Sequence, residues 1–170
     1  LFAKKNGGQF ILRVEDTDSE RTVEDSAEKM MQAFRWLGLQ WDEGPIVGGP
    51  AGPYYQSLRQ DFYRKYAQSL VDKGHAYKCY CTPEELTEDR ERARAEKRAP
   101  RYSGRCRELT PEQIAEFEDE GRKPTTRFRT PETGTTVVHD LIKGEIPFKN
   151  EEISDFIIMK SDGFPTYNYA

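Results

Sequence analysis

The sequence has little that would carry it into a membrane: its apolar runs are far too short to span a bilayer. It has no excess of positive charge either. The formal net charge is −4, so any surface for nucleic acid must be a local patch and not a property of the whole chain. Cysteine is scarce and odd in number, three in all, which excludes a fully paired disulfide framework and turns attention to thiol or metal chemistry. There are two histidines, His75 and His139, at no evident ligand spacing. Internal repeats and low-complexity tracts are missing. What is present is enough for a folded core: nine Tyr, nine Phe and two Trp among 170 residues argue against disorder, although 33% of the chain is charged. A soluble, cytosolic protein is the expectation.

Punctuation divides the chain. The opening "LFAKKNGG" reads as a helix end, with Lys4 and Lys5 suited to a helix C-terminus and Asn6-Gly7-Gly8 as the stop. The final "PTYNYA" closes on no stop signal, and together the two ends suggest an internal piece of a longer protein. "QFILRV" is a candidate buried strand. Ala27, Met30, Met31, Phe34 and Leu37 fall at helical spacing, which predicts an amphipathic helix from about Glu24 to Leu37, ended by Gly38. "DEGPIVGGPAGPYYQS" is a Gly/Pro loop, and a second helix is expected over Ser57–Asp72, with Phe62, Tyr66 and Leu70 on one face and Gly74 as its stop.

The composition then shifts. "AYKCYC" predicts a short strand, and Thr82-Pro83-Glu84-Glu85 has the form of a capping box with Pro at the first helical position, opening a charged helix to about Arg98. Thr110-Pro111-Glu112-Gln113 repeats the signal for an acidic helix ending at Gly121. From Thr125 the pattern becomes strands: "TTRFRT", "TTVVHD", "EIPF" and "DFIIMK", followed by the tight turn "SDGFP". The picture is an α/β part in front and a mixed helix-and-hairpin part behind it.

Three places carry candidate chemistry. Glu15, Asp16, Thr17 and Asp18 crowd the end of the first strand, where ligands bind in open α/β sheets; short acidic turns and caps have the same composition. Cys79, Cys81 and Cys106 could hold three corners of a tetrahedral zinc site, with Glu108 as fourth donor or Tyr102 in its place, whereas three buried thiols without metal are the plainer alternative. Arg90 to Arg107 form a basic stretch around Tyr102, either a nucleic-acid surface or a solvated helix face. "SDGFPTYNYA" adds Tyr167 just beyond a turn.

Taken together, "NGGQFILRVEDTDSER", "WLGLQWDEGP", "GPYYQS", "AYKCYCTPEEL", "RYSGRCRE", "DLIKGEIPF" and "MKSDGFPTYNYA" resemble the bacterial and organellar glutamyl-tRNA synthetases, a class I aminoacyl-tRNA synthetase family. The resemblance covers nearly the whole chain in order. It implies a partial Rossmann-type α/β catalytic domain in residues 1–54 and a mixed α+β acceptor-stem-binding insertion in 55–163, containing a zinc-binding element at 79–108. Residues 164–170 would return to the catalytic domain. The implied activity is ligation of L-glutamate to tRNA-Glu with ATP and Mg2+, by a monomer of the cytoplasm or an organellar matrix, without a membrane.

Residue by residue, the resemblance gives Glu15 and Tyr167 to the glutamate substrate, and Thr17, Asp18 and Arg21 to the tRNA 3′ end. Cys79, Cys81 and Cys106 match the cysteines that hold Zn2+ in some members, and Glu108 stands where a histidine is familiar. The "HIGH"-type and "KMSKS"-type ATP motifs would precede Leu1 and follow Ala170, so residues 1–170 by themselves are expected not to charge tRNA and to contain no catalytic residue. Two other readings remain: the paralogue that glutamylates queuosine in tRNA-Asp, whose acidic string usually lacks the Thr of "EDTD", and a non-catalytic tRNA-binding module.

Overall fold

A computed structural model describes residues 1–17, 25–97 and 99–170. It divides the chain into two compact units, residues 1–63 with Ala170 and residues 64–169. Among the described residues no helix is long and apolar enough to cross a membrane.

In the first unit, α1 (Phe2–Lys5) ends at Asn6 and Gly7, as the sequence predicts. The next segment runs extended but does not become a strand buried on both faces. Leu12 and Val14 are buried while Ile11 and Arg13 are exposed, so the apolar run "FIL" is half-buried, with one face open. The backbone explains why. Leu12 N–H donates to Glu43 O at 2.9 Å, and Val14 N–H donates to Tyr54 O at 2.8 Å, so two parallel bridges flank the segment and alternate residues must face opposite ways. Leu12 packs with Met31 and Trp41, and Phe10 meets Phe34 edge-to-face at 5.9 Å. Met31 and Phe34 come from α2 (Ser26–Trp36), shorter than the expected span. Of the predicted apolar stripe, Met31 is buried, whereas Met30 and Leu37 are exposed. Gly38, at φ +70°, closes the helix: its N–H bonds Arg35 O, and Leu39 N–H reaches Phe34 O.

The second predicted helix begins as a 3₁₀ turn, Gln56–Arg59, and continues as α3 (Gln60–Asp72), the element within which the division between units falls. Its buried positions are Tyr63 and Ala67 with Leu70 half-buried, and Phe62 and Tyr66 are exposed. The expected face is therefore turned by one residue. Small Ala67 takes the tightest place, which a count of large apolar side chains overlooks.

The second unit is built on an antiparallel sheet of β1 (Ala76–Cys79), β2 (Thr125–Phe128) and β5 (Ile157–Met159), in the order β1-β2-β5. Ile158 and Thr126 are its most deeply buried side chains. Both predicted capping boxes form. Thr82 and Glu85 open α4 (Pro83–Ala95), and Thr110 and Gln113 open α5 (Pro111–Asp119). Each side chain takes the other's backbone N–H, an arrangement in which the cap residue alone contributes about 1 kcal/mol. Tyr80 anchors α5 by stacking on Phe117 at 5.7 Å and donating to Glu118 at 2.8 Å. The remaining strands, β3 (Thr135–Asp140) and β4 (Gly144–Lys149), pair as a separate hairpin. Its tip residues Leu141 and Ile142 are fully exposed, on a turn held by Asp140, whose carboxylate accepts from Ile142 and Lys143 N–H.

Candidate functional site

The clearest constellation lies at the end of β1. Residues two apart on a strand share a face, and Cys79 and Cys81 obey that rule although the strand itself stops at Cys79. The charged helix α4 then leads away, and the loop 101–107 returns Cys106 to the two thiols. The turn is closed from inside: Arg107 N–H bonds Gly104 O at 2.9 Å, and Cys106 N–H donates to the Tyr102 hydroxyl at 3.0 Å. The three sulfurs lie within 4.8 Å of one another, Cys81 and Cys106 at 3.5 Å. The Tyr102 hydroxyl is 3.4 Å from Cys79 Sγ and 3.7 Å from Cys81 Sγ, so the structure places an oxygen beside the three thiols.

Glu108 does not join them. Its carboxylate is strongly exposed and pairs with the Arg129 guanidinium at 2.5 Å, so the expected first choice of fourth donor is drawn off by a neighbouring cation. The oxygen at the thiols belongs to Tyr102. Neither histidine is in the cluster; His139 sits on the exposed hairpin, 3.4 Å from Glu145.

The electrostatics follow from crowding. Hydrogen bonds from the Cys106 and Cys81 thiols hold the Cys79 thiol far below its ordinary pKa. The same contacts, with burial and the Cys79 charge, push Cys81 up. Burial, followed by the hydrogen bonds to Cys106 and Cys79, raises Tyr102. One thiolate is thus favoured and further ones are opposed, the expected behaviour of a donor set without its counter-charge. Three sulfurs and a phenol oxygen, mostly buried, fit a soft tetrahedral divalent ion such as Zn2+ and do not fit Mg2+ or Ca2+.

Around these donors lies a frame that sequence reading missed. Asp155, buried just before β5, accepts from Arg107 Nε and Nη2, both at 2.6 Å, from Thr130 N–H at 3.0 Å and from the Tyr77 hydroxyl. Burial raises the pKa of this carboxyl, but Arg107, Tyr77 and Thr130 outweigh it and hold it below the usual range. The Asp155 carbonyl accepts from Arg127 Nη1 at 2.8 Å, and the Arg127 guanidinium lies over the Tyr102 ring at 3.8 Å. The adjacent Ser154 hydroxyl accepts from Tyr102 N–H at 3.1 Å. On the other side of the loop, buried Asp89 of α4 holds Arg105 at 2.9 Å and Ser103 at 2.6 Å. Nothing in the spacing of Asp155 marks it out; only the buried-acid pattern at the head of "DFIIMK" could have drawn attention to it.

The acidic string of the first unit divides into different roles. Glu15 is exposed and paired with Arg13 at 2.9 Å, leaving its carboxylate open to solvent. Asp16 reaches Ser57, accepting its N–H at 2.8 Å and its hydroxyl at 2.6 Å, and so caps the start of the helical segment leading into α3. Thr17 donates to buried Gln56 at 3.1 Å. Asp18 and Arg21 lie outside the described residues. In the second unit Tyr167 follows the Met159–Pro165 bridge and is exposed.

Comparison with known proteins concerns the chain as a whole. The family model described as tRNA synthetases class I (E and Q), catalytic domain, matches residues 1–170. The chain belongs to this family. Within it, the chain is 54% identical over all 170 residues to glutamate–tRNA ligase 1 of Caldicellulosiruptor saccharolyticus and 55% identical to the glutamate–tRNA ligase of Moorella thermoacetica. It spans 35% of the length of each of these relatives. Among solved structures it is similar to the crystal structure of a glutamate tRNA ligase from Elizabethkingia meningosepticum in complex with its amino acid. That match has a TM-score of 0.86 at 37% identity and covers 99% of this chain and 35% of that one. The fold is therefore that of a class I synthetase catalytic region, as the sequence resemblance implies.

Proposed function

We propose that this chain is the glutamate-recognising part and acceptor-stem insertion of a glutamate–tRNA ligase. Such an enzyme activates L-glutamate with ATP and Mg2+ and transfers it to the 3′ end of tRNA-Glu. The observation that carries this reading is the 54% identity over the complete chain to proteins named glutamate–tRNA ligase. In this reading residues 1–54 and 164–170 belong to the catalytic domain and 55–163 to the insertion, and the enzyme is a monomer of the cytoplasm or an organellar matrix.

Glu15 receives the ammonium group of glutamate; its exposed carboxylate, paired with Arg13 among the described residues, supports that role. Tyr167, with its hydroxyl free to face solvent, contacts the same substrate, and Thr17, Asp18 and Arg21 face the tRNA end. Zn2+ held by Cys79, Cys81, Cys106 and Tyr102 would serve as a structural ion, tying the β1 end to the 101–107 loop.

The test is made on the full-length protein. Purified enzyme should form glutamyl-tRNA from tRNA-Glu, and Glu15→Ala should raise the KM for glutamate at least about tenfold, the loss of one charge-assisted contact of about 1.5–3 kcal/mol. Glutamate transfer to tRNA-Asp alone would overturn the substrate assignment, and an unchanged glutamate KM would remove Glu15 from the site.

A further inference from the structure

Each segment that delivers a donor to the thiol cluster also leads to one residue. Cys79 lies two residues beyond Tyr77 on β1, and the Tyr77 hydroxyl donates to the Asp155 carboxylate. Cys106 is followed directly by Arg107, which grips both oxygens of the same carboxylate at 2.6 Å. Tyr102 lies beneath the Arg127 guanidinium, and Arg127 is anchored on the Asp155 carbonyl at 2.8 Å. Tyr102 N–H is held by Ser154, the neighbour of Asp155. The donors come from two segments distant in sequence, the end of β1 and the loop 101–107, and this buried acid, which hydrogen-bonds none of the donor atoms among the described residues, is their common point of attachment.

We infer that Asp155 is the positioning residue of the metal centre, and the inference rests on the zinc reading proposed above. Four donors must be held within a few tenths of an ångström of tetrahedral positions, and partners behind the ligands commonly supply that precision. Here the usual device of a carboxylate bonded to a ligand's own ring N–H has no place, since thiolates carry no second polar group to hold. Control passes instead to the backbone on either side of each cysteine. A carboxylate with two oxygens and a carbonyl can grip three segments at once, and its two bonds to the Arg107 guanidinium fix an angle as well as a distance. Arg127 adds a second restraint, because a guanidinium over the phenol ring keeps the ring plane, and so the hydroxyl, directed at Cys79.

Burial gives this arrangement its leverage. Asp155 is 5% exposed and Arg127 6% exposed, so neither can exchange its partners for water without opening the sheet edge. Asn at position 155 keeps the volume but loses the charge that draws in Arg107 and presents only one acceptor oxygen. The Arg107 segment, and Cys106 with it, is then released from its fixed bearing while the Cys79 strand remains in the β1–β2 ladder.

The experiment measures zinc affinity by competition with a chromophoric chelator, and the absorption spectrum after cobalt substitution, on the full-length protein. Wild type should bind one zinc per chain at this site and give the intense visible bands of tetrahedral thiolate-bound cobalt. Asp155→Asn should weaken zinc affinity about ten- to hundredfold and shift the cobalt bands, and the Cys79→Ser control should abolish binding. Melting of the metal-free proteins, followed in parallel, separates positioning from simple support. A merely structural Asp155 would lower melting and leave affinity and cobalt spectrum of the folded protein unchanged, which would overturn the inference. Should Asp155→Asn fail to fold, Tyr77→Phe and Arg127→Lys each release one arm and should weaken zinc binding several-fold; wild-type affinity in both would also overturn it. A wild-type protein that takes up no zinc or cobalt would show that the metal reading has failed, and the inference would fall with it.

Discussion

The Tyr102 hydroxyl accepts the Cys106 N–H at 3.0 Å and stands 3.4 Å from Cys79 Sγ, so one phenol links the two ends of the cysteine cluster. Tyr102→Phe deletes the oxygen and keeps the ring under Arg127. Zinc affinity should drop about tenfold or more, and the metal-free fold should lose about 1–3 kcal/mol because the buried Cys106 N–H is left without its acceptor. Glu108→Gln, which among the described residues alters the exposed pair with Arg129, should leave affinity unchanged. Chelator competition on both variants checks the assignment; a loss in the Glu108 variant alone would reverse it.

Asp16 supports a helix start 41 residues away through Ser57 N–H and Oγ. Asp16→Ala should therefore cost stability, by about 1–2 kcal/mol as for a lost N-cap. Asp16→Asn, which keeps one acceptor oxygen, should cost less. Urea unfolding curves, compared at equal slope, measure the difference.

Acid should loosen the frame of the second unit. Asp155 is held below its ordinary pKa in the folded protein, so its contribution is complete above the unfolded value of about 3.9 and is lost as pH falls through the folded value. Stability of the metal-free protein should fall from about pH 5 downward, and Asp155→Asn should flatten that slope. Unfolding measured across this range decides the matter; identical slopes would mean that other carboxylates govern acid loss.

Two adjacent glycines should respond differently to alanine. Gly48 has φ +80° and open space where a Cβ would go, so Gly48→Ala should cost about 1–2 kcal/mol for the left-handed backbone alone. At Gly49, φ +137°, a Cβ would overlap the Glu43 side chain and the Tyr54 hydroxyl. Glu43 is buried and bonded to Ala51 N–H at 2.8 Å and Tyr54 at 2.6 Å, so it has nowhere to retreat. Gly49→Ala should cost about 1–3 kcal/mol more than Gly48→Ala. Thermal melting of the pair checks the order.

Local chemistry determined a good deal by itself. Thr82 and Thr110 with their partners three residues on specify two helix starts, and Gly38, Gly74 and Gly121 specify three stops, because caps are satisfied within a few residues. The four late strands and the hairpin are legible for the same reason, since alternation and turns are short-range signals. The three cysteines that come together could also be named from spacing and resemblance.

Tertiary structure decided what depends on partners distant in sequence. The buried face of α3 lies at Tyr63 and Ala67 because packing selects fit, and a pattern of large apolar residues points instead to Phe62 and Tyr66. Asp16 serves Ser57, and Glu108 is lost to Arg129, through contacts 41 and 21 residues apart. The oxygen beside the thiols comes from Tyr102, and the acid that binds their segments is Asp155, at the head of a strand with no motif to announce it. A carboxylate's role is set by which donors surround it after folding, and the sequence order of those donors carries no mark of that meeting.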